Sequence, residues 1–543
     1  MKRKLTAAVS LCVVASALVA QAAFAADAPV YVISASDGAA ISVIATTGDT
    51  IGTEVLRGVP DGMGALKNAD GTLTLLSNHE ISLSSTVAQA SKSATGTWGS
   101  SISKMTFNPA TNKITKAENL IKNVSYYNYA TETWGPTWTQ SVPVGSPAVD
   151  SFGGDIGTNG LNRFCSGNLV AAGGLSYSEK DAKTKKTTTY GYTEPVYFTG
   201  EEGGDYSRAF AFDLNGNGVQ LPGFGLAGWE NLLTKPGTGK ATIVMANEDN
   251  AATDSQLYMY VGTKQTTGAN FAEKAGLTNG KLYTIALSGF ASDNAVRAAK
   301  KVGEKIKVGF NQINTNPNFG KFSAMAQTNG TTFSRIEDGE WDPKNPNVYY
   351  FLTTESNKDP LATAPNPSIP VSRDGGALWK MTFADAMDPF KGATIEMLLN
   401  GTEPIYLNKP DNLSVDENGY ILLQEDPGNN EHVSRLVAYR ISDGKTAVLA
   451  KFDDQYFTKA GSKFITIDEE TSGSINVNKF LKASGDSKSH FFFNAQVHTK
   501  LSVARPELIA GLGADAVTAL DNKAVEGGQY YHLVVDWSKV SFS

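Results

Sequence analysis

Short strand-like runs, each closed by turn residues, recur from about residue 29 to the end of this 543-residue chain. Pro29–Ile33, Leu73–Leu76, Lys104–Phe107, Pro195–Thr199, Ala209–Leu214, Ala241–Met245 and Gln256–Val261 are of this kind. So are Val348–Thr353, Ala377–Met381, Gly419–Gln424, Val437–Arg440 and Phe491–Gln496. The turns between runs are rich in Asn, Asp and Gly, as in Asn215-Gly216-Asn217-Gly218 and Ser442-Asp443-Gly444. Helical periodicity is local, as around Ala291–Val302. With no alternation of strand and helix, the pattern predicts an all-β assembly. A hydrophobic fraction of 41% supplies a large core, which excludes global disorder. About 100–200 residues per domain would give three or so domains, but propellers grow by adding blades instead. A propeller over residues 26–543 would thus be one domain. Polar stretches at 84–102, 176–192 and 357–372 are expected as exposed loop insertions.

The first residues read as an export signal. Lys2, Arg3 and Lys4 precede the apolar run Leu5–Ala20, and Ala23-Phe24-Ala25 has the small-x-small form of a cleavage site. Residues 1–25 are thus expected to be a signal peptide, with the rest periplasmic or secreted. No later stretch approaches the ~18 apolar residues that a membrane span needs. Forty-seven basic against 54 acidic residues give a net charge of −7, and no basic stripe supports nucleic-acid binding. Of two cysteines, Cys12 falls in the leader, so a disulfide framework is excluded and Cys165 is a lone thiol.

Acidic and amide residues gather where the apolar runs end. Asn78-His79-Glu80, Glu201-Glu202, Asn247-Glu248-Asp249, Glu425-Asp426 and Asp468-Glu469-Glu470 are five such places. Trp229-Glu230-Asn231 and Arg335-Ile336-Glu337-Asp338 are two more. Hard cations take six to eight oxygens from such groups. On a propeller face, strand ends from distant parts of the chain converge on one channel. Each pair by itself reads equally as an ordinary solvated turn. Cys165 reads either as a buried small hydrophobe, as a thiolate metal ligand or as a nucleophile. Among hard oxygens, a thiolate points to iron or another transition metal rather than calcium alone. The five histidines form no His-x-His or His-x-x-x-His pair, which argues against a histidine-built zinc site. Neither a G-x-S-x-G elbow nor a P-loop occurs. Arg163, Arg208, Arg335 and Arg373 lie near the acidic clusters and read either as plain ion-pair partners or as donors to an anion.

Taken in order, these residues resemble the PhoX-type alkaline phosphatases and their secreted relatives. Asn78-His79-Glu80 is similar to the family's N-H-E, and Cys165 followed by Glu201-Glu202 to its Cys segment and Glu-Glu. Glu248-Asp249 stands in the place of an Asp-Asp pair, and Phe333–Trp341 resembles F-x-R-x-E-G-x-W. Gly376–Trp379 is similar to G-x-x-W, and Asp411-Asn412 with Val415 to D-N-x-x-V, ahead of Glu425-Asp426. Glu469–Gly473 and Asn494-Ala495-Gln496 resemble the closing segments. Two departures stand out. Trp229 replaces a His, and the Thr-Pro-Trp-Gly run that follows the Cys in the family gives way to Asn168–Tyr177 and a polar loop.

The resemblance implies a six-bladed β-propeller whose channel holds Ca2+ and Fe3+ and hydrolyses phosphomonoesters. It implies a metal shell of Cys165, Glu202, Glu230, Glu248, Asp249 and Glu337, with Arg335 or Arg373 gripping phosphate. Glu80, Glu201, Asp411, Asn412, Glu425, Asp426 and Glu469 complete the candidate ligands. Arg335, Arg373 and Glu337 are the candidate catalytic residues. The partner is a small phosphate ester, and a monomer is expected. Two alternatives remain at this point: a calcium-stabilised propeller that only binds, and a lactonase-like calcium-dependent hydrolase of another ester. An all-oxygen calcium site has no use for Cys165, which separates the last of these.

Overall fold

The computed structural model describes residues 28–83, 99–136, 160–250, 254–317, 322–354 and 375–543. Residues 1–25, most of the 84–102 stretch, the 357–372 stretch and Arg373 lie outside these residues. The strands form six four-stranded antiparallel blades, up-and-down meanders of which blade 2 carries an inserted hairpin and blade 6 borrows its outer strand from the other end of the sequence. Blade 1 is Pro60–Lys67, Leu73–His79, Ser101–Asn108 and Lys113–Asn119. Blade 2 is Phe164–Val170, Val196–Glu201, Ala209–Asp213 and Asn217–Gln220. Blade 3 is Trp229–Lys235, Ala241–Glu248, Leu257–Thr263 and Lys281–Leu287. Blade 4 is Ile336–Trp341, Val348–Thr353, Ala377–Phe383 and Ala393–Leu399. Blade 5 is Pro410–Asp416, Tyr420–Glu425, Arg435–Arg440 and Lys445–Phe452. Blade 6 takes Glu469–Asn476, Ser489–Lys500 and Glu526–Val535 from the C-terminal end, and its outer strand, Ala39–Thr46, from the N-terminal end.

The first strand of each blade touches the first strands of the blades on either side, and the ring closes where blade 6 meets blade 1. This is a six-bladed β-propeller. Its core is divided in the same way. Six buried apolar clusters each fill one interface between neighbouring blades. Along one strand the side chains alternate between two of them: Tyr349 and Phe351 face blade 3, while Tyr350 and Leu352 face blade 5. That explains the unbroken apolar runs in the sequence. Val196–Glu201 and Val348–Thr353 are buried on both faces, whereas the outer strand Lys113–Asn119 is mostly exposed.

The 176–192 stretch, expected as a loop, is an exposed two-stranded hairpin, Ser176–Lys180 with Thr187–Gly191. Its second strand, with Thr187, Thr188 and Thr189, supplies β-branched residues that suit an extended backbone. Ser101 and Ile102, the end of the other polar stretch, are buried in blade 1 rather than looped out. An additional strand, Ile306–Ile313, pairs with the outer strands of both blade 3 and blade 4 and joins them into one sheet.

Candidate metal centre

The inner strands share a defect. Each has a break in its pairing register, between Pro60/Met63, Phe164/Gly167, Trp229/Asn231, Ile336/Gly339, Pro410/Leu413 and Ser472/Ile475. A bulge adds an unpaired residue and re-aims its side chain. In blades 1 to 5 the second residue of the inner strand sits in that break: Asp61, Cys165, Glu230, Glu337 and Asp411. In blade 6 the second residue is Glu470. One position, repeated around the ring, thus carries five carboxylates and one thiol. All of them are at least nine-tenths buried.

These groups meet. Asp61, Glu80 and Cys165 bring their ligand-type atoms within 4.8 Å of one another. The same holds for Cys165, Glu230 and Asp411, and for Asp411, Asp426 and Glu470. Cys165 and Asp411 are shared, so the three groups form one chain across the channel. The Cys165 thiol donates to Asp61 Oδ2 at 3.0 Å, and the Ser472 hydroxyl donates to Asp61 Oδ1 at 2.6 Å. Glu230 is fully buried, and among the described residues neither of its oxygens has a hydrogen-bond partner of good geometry, with Cys165, Asp411 and Ser166 its polar neighbours.

Burial, and then mutual repulsion, pushes these groups up. Asp61 rises to about 6, eased by hydrogen bonds from Cys165 and Ser472, and Glu470 to about 8. Glu230, Glu337, Asp411 and the Cys165 thiol all stand well above their ordinary values. A bound multivalent cation inverts that balance, because its own charge becomes the largest in the site. An orphaned carboxylate between a thiol and a second carboxylate is a donor set that fits such an ion. The oxygens suit a hard cation and the thiolate a transition metal.

A cavity of about 220 Å³ opens over the chain of ligands. Arg163 and Arg335 line it. Arg163 pairs with Glu80 and, at 2.7 Å, with Glu202. Arg335 forks onto Asp249 and lies 3.3 Å from Glu337. His498 Nδ1 lies 3.0 Å from Glu526, which turns Nε2 toward Glu470 at 3.8 Å. Burial disfavours its charge, but the hydrogen bonds to Glu470 and Glu526 hold its pKa well above the usual value.

The structure brings Cys165, Glu80, Glu202, Glu230, Glu337, Asp411 and Asp426 to this cavity or the chain of ligands beneath it. Asp249 stands behind Arg335 as its anchor. Asn412 is tied to the Ser166 hydroxyl at 3.1 Å and accepts from Gly473 N. Four other candidates point elsewhere. Glu201 is gripped by Arg208 through Nε at 2.7 Å and Nη2 at 2.5 Å. Glu425 is gripped in the same way by Arg435, at 2.8 and 2.6 Å, with His432 at 3.1 Å. Glu248 accepts from the Tyr258 hydroxyl at 2.6 Å and Gln256 N at 3.0 Å. Glu469 accepts from Ser434 N at 3.1 Å. Asp61, Glu470 and His498 were not among the candidates. The shared second position of the inner strands signals the first two. Nothing local signals His498, whose place depends on Glu526 across blade 6.

The sequence profile described as Alkaline phosphatase PhoX matches residues 213–483. No curated protein matches the chain. Among solved structures, PhoX of Pseudomonas fluorescens in complex with vanadate, a transition state analogue, aligns with a TM-score of 0.55 at 12% identity. The alignment covers 93% of this chain and 96% of that one, and the likeness is one of fold. The NanB sialidase of Streptococcus pneumoniae aligns at only 0.25, with 10% identity over 92% of this chain and 71% of its own. The endo-1,5-alpha-L-arabinanase of Thermotoga petrophila aligns at 0.26, with 8% identity over 87% and 83%. Neither of these two scores bears on the fold. The profile match, the motif order and the six-bladed ring agree, and the chain belongs to the PhoX-type alkaline phosphatase family.

Proposed function

We propose that the protein is an exported metal-dependent phosphatase that hydrolyses phosphomonoesters over the acidic chain in its channel. The observation that carries this reading is Glu230, a buried carboxylate without a good hydrogen-bond partner, set between Cys165 and Asp411. Asp61, Cys165, Glu230 and Asp411 would hold iron through the thiolate. Glu80, Glu337, Asp426 and Glu470 offer the oxygens that calcium prefers. Once bound, such cations polarise the phosphoryl oxygens and neutralise the charge that builds on them in the transition state.

The chain's own residues do the rest. Arg335 lines the cavity with Nη1 left as a charged donor for a phosphate oxygen. Asp249 and Glu337 fix its orientation, so little side-chain freedom is lost on binding. The fully or nearly buried floor of Asp61, Cys165 and Glu230 keeps bulk water away from the reacting end. The leader reading supports a periplasmic or secreted location. Among the described residues, no helix is long and apolar enough to cross a membrane.

The test is release of p-nitrophenol from its phosphate monoester at alkaline pH. The chain is purified from Ala26 with calcium in excess, and a chelator-treated sample is run alongside. Chelator-sensitive turnover is expected. A folded protein whose melting temperature rises with calcium but which turns nothing over would overturn the phosphatase reading in favour of a binding propeller.

A further inference from the structure

Two blades repeat a second pattern just ahead of the ligand position. Blade 2 opens with Arg163-Phe164-Cys165 and blade 4 with Arg335-Ile336-Glu337, an arginine two residues before the ligand-type residue. Both arginines have left-handed backbone, with φ of 39° and 60°. That conformation is costly for a residue with a side chain and persists only where the surroundings fix it. Val59 and Lys409 adopt it ahead of blades 1 and 5. The backbone therefore supplies the place, and the residue type decides its use.

The two guanidinium groups are held alike. Arg163 spends Nε on the Glu202 carbonyl at 3.1 Å and Nη2 on the carboxylates of Glu202 and Glu80. Arg335 spends Nε and Nη2 on Asp249, with Glu337 beside Nη2. In each case Nη1 has no partner among the described residues, and each side chain, 42% and 35% exposed, lines the same cavity. A plain counter-ion for Glu80 and Glu202 would need only the nitrogens already used. We propose that Arg163 is a second phosphate-gripping residue, closing on the anion from blade 2 while Arg335 does so from blade 4. The proposal rests on the phosphatase reading and adds to it a residue found by the internal repeat.

Orthovanadate is the probe. Its binding to calcium-loaded protein is measured by calorimetry, alongside its inhibition of p-nitrophenyl phosphate turnover and the metal content of each sample. Arg163→Gln removes the group. Arg163→Lys keeps the charge against Glu80 and Glu202 but has no further nitrogen to turn to the cavity, so it carries the test even if the Gln variant fails to fold. A hydrogen bond to a charged group predicts that vanadate binding weakens about ten- to hundredfold in Arg163→Lys. KM should rise by a similar factor, with kcat less affected and metal content unchanged. Wild-type vanadate affinity in the Lys variant at full metal content would overturn the clamp. So would a loss of affinity that tracks a loss of calcium, since Arg163 would then serve only the carboxylates. If the wild type neither binds vanadate nor turns over substrate, the phosphatase reading falls, and the clamp falls with it.

Discussion

Two sets of buried glutamates in this propeller have the same chemistry and opposite fates. At the ends of second strands, Glu201 and Glu425 each sit in the fork of an arginine, Arg208 or Arg435. At the starts of inner strands, Glu230, Glu337 and Glu470 are as deeply buried, and Glu230 has no cation against it among the described residues. The arginine beside Glu425 holds it below the usual carboxylate range, although burial acts the other way, whereas Glu230 is driven well above it. Burial alone does not mark a ligand. A buried charge left without compensation at the shared inner-strand position does.

The largest effect that would break this contrast is on turnover. Cys165→Ser and Glu337→Gln are each expected to abolish phosphatase activity, by more than about a hundredfold, since even groups that only support metal ligands cost 10–100-fold. Both should fold, as circular dichroism and melting would show; full activity in either removes that residue from the centre.

Next in size is stability. Glu201→Gln leaves Arg208 buried without its countercharge and should cost about 3–5 kcal/mol in denaturant unfolding. Glu230→Gln in chelator-treated protein should cost far less, or even stabilise, because it removes a group with nothing to pair with. Equal losses in the two variants would erase the distinction between the sets.

The third prediction concerns pH. In chelator-treated protein the folded pKa values of Asp61, about 6, and Glu470, about 8, stand above the ordinary 3.8 and 4.5. The folded state then binds more protons than the unfolded one between those limits. The stability these groups contribute is complete below about pH 4 and is lost as pH rises through 6 and 8. Glu425 works in the other direction: its contribution holds above 4.5 and is lost as pH falls through its depressed value. Melting temperatures from pH 5 to 9 should therefore fall without metal, and the increment from added calcium should be greatest at the alkaline end. A calcium increment independent of pH would count against ligation by the inner-strand acids.

The smallest effect is expected at Glu248. Glu248→Gln keeps an oxygen for Tyr258 and Gln256 and touches no group in the cavity, so activity should stay within about twofold and calcium content should not change. A large loss would move Glu248 into the metal shell after all.

The architecture was legible because middle strands buried on both faces write themselves as apolar runs, and nearly every one read from the sequence is a strand here. The sixfold period was not visible, because each blade keeps the position of its ligand and changes the residue: Asp61, Cys165, Glu230, Glu337, Asp411, Glu470. The change of residue type hides the repeat in the sequence, while the shared strand position keeps it in the structure. The rim of the site, with Glu80, Glu202 and Asp426, was legible as acids at strand ends. Glu201 and Glu425 looked the same, and only the arginine opposite each tells them apart. Trp229, which replaces a family His, is buried against Phe224 and Tyr258 and belongs to the core between blades 2 and 3.

The closing strand Ala39–Thr46 also sets when the metal centre can come into being. Asp61 and Glu470 belong to blades 1 and 6, which touch through their inner strands, and blade 6 is complete only when Glu526–Val535 pairs with that N-terminal strand. Every shorter chain carries the thiol and several carboxylates in open blades, with no ring to gather them. The site thus draws on contacts between the two ends of the sequence, the kind whose large separation slows folding. A chain cut short of Glu526–Val535 lacks the strand that completes blade 6, and with it the ring that gathers the acidic groups.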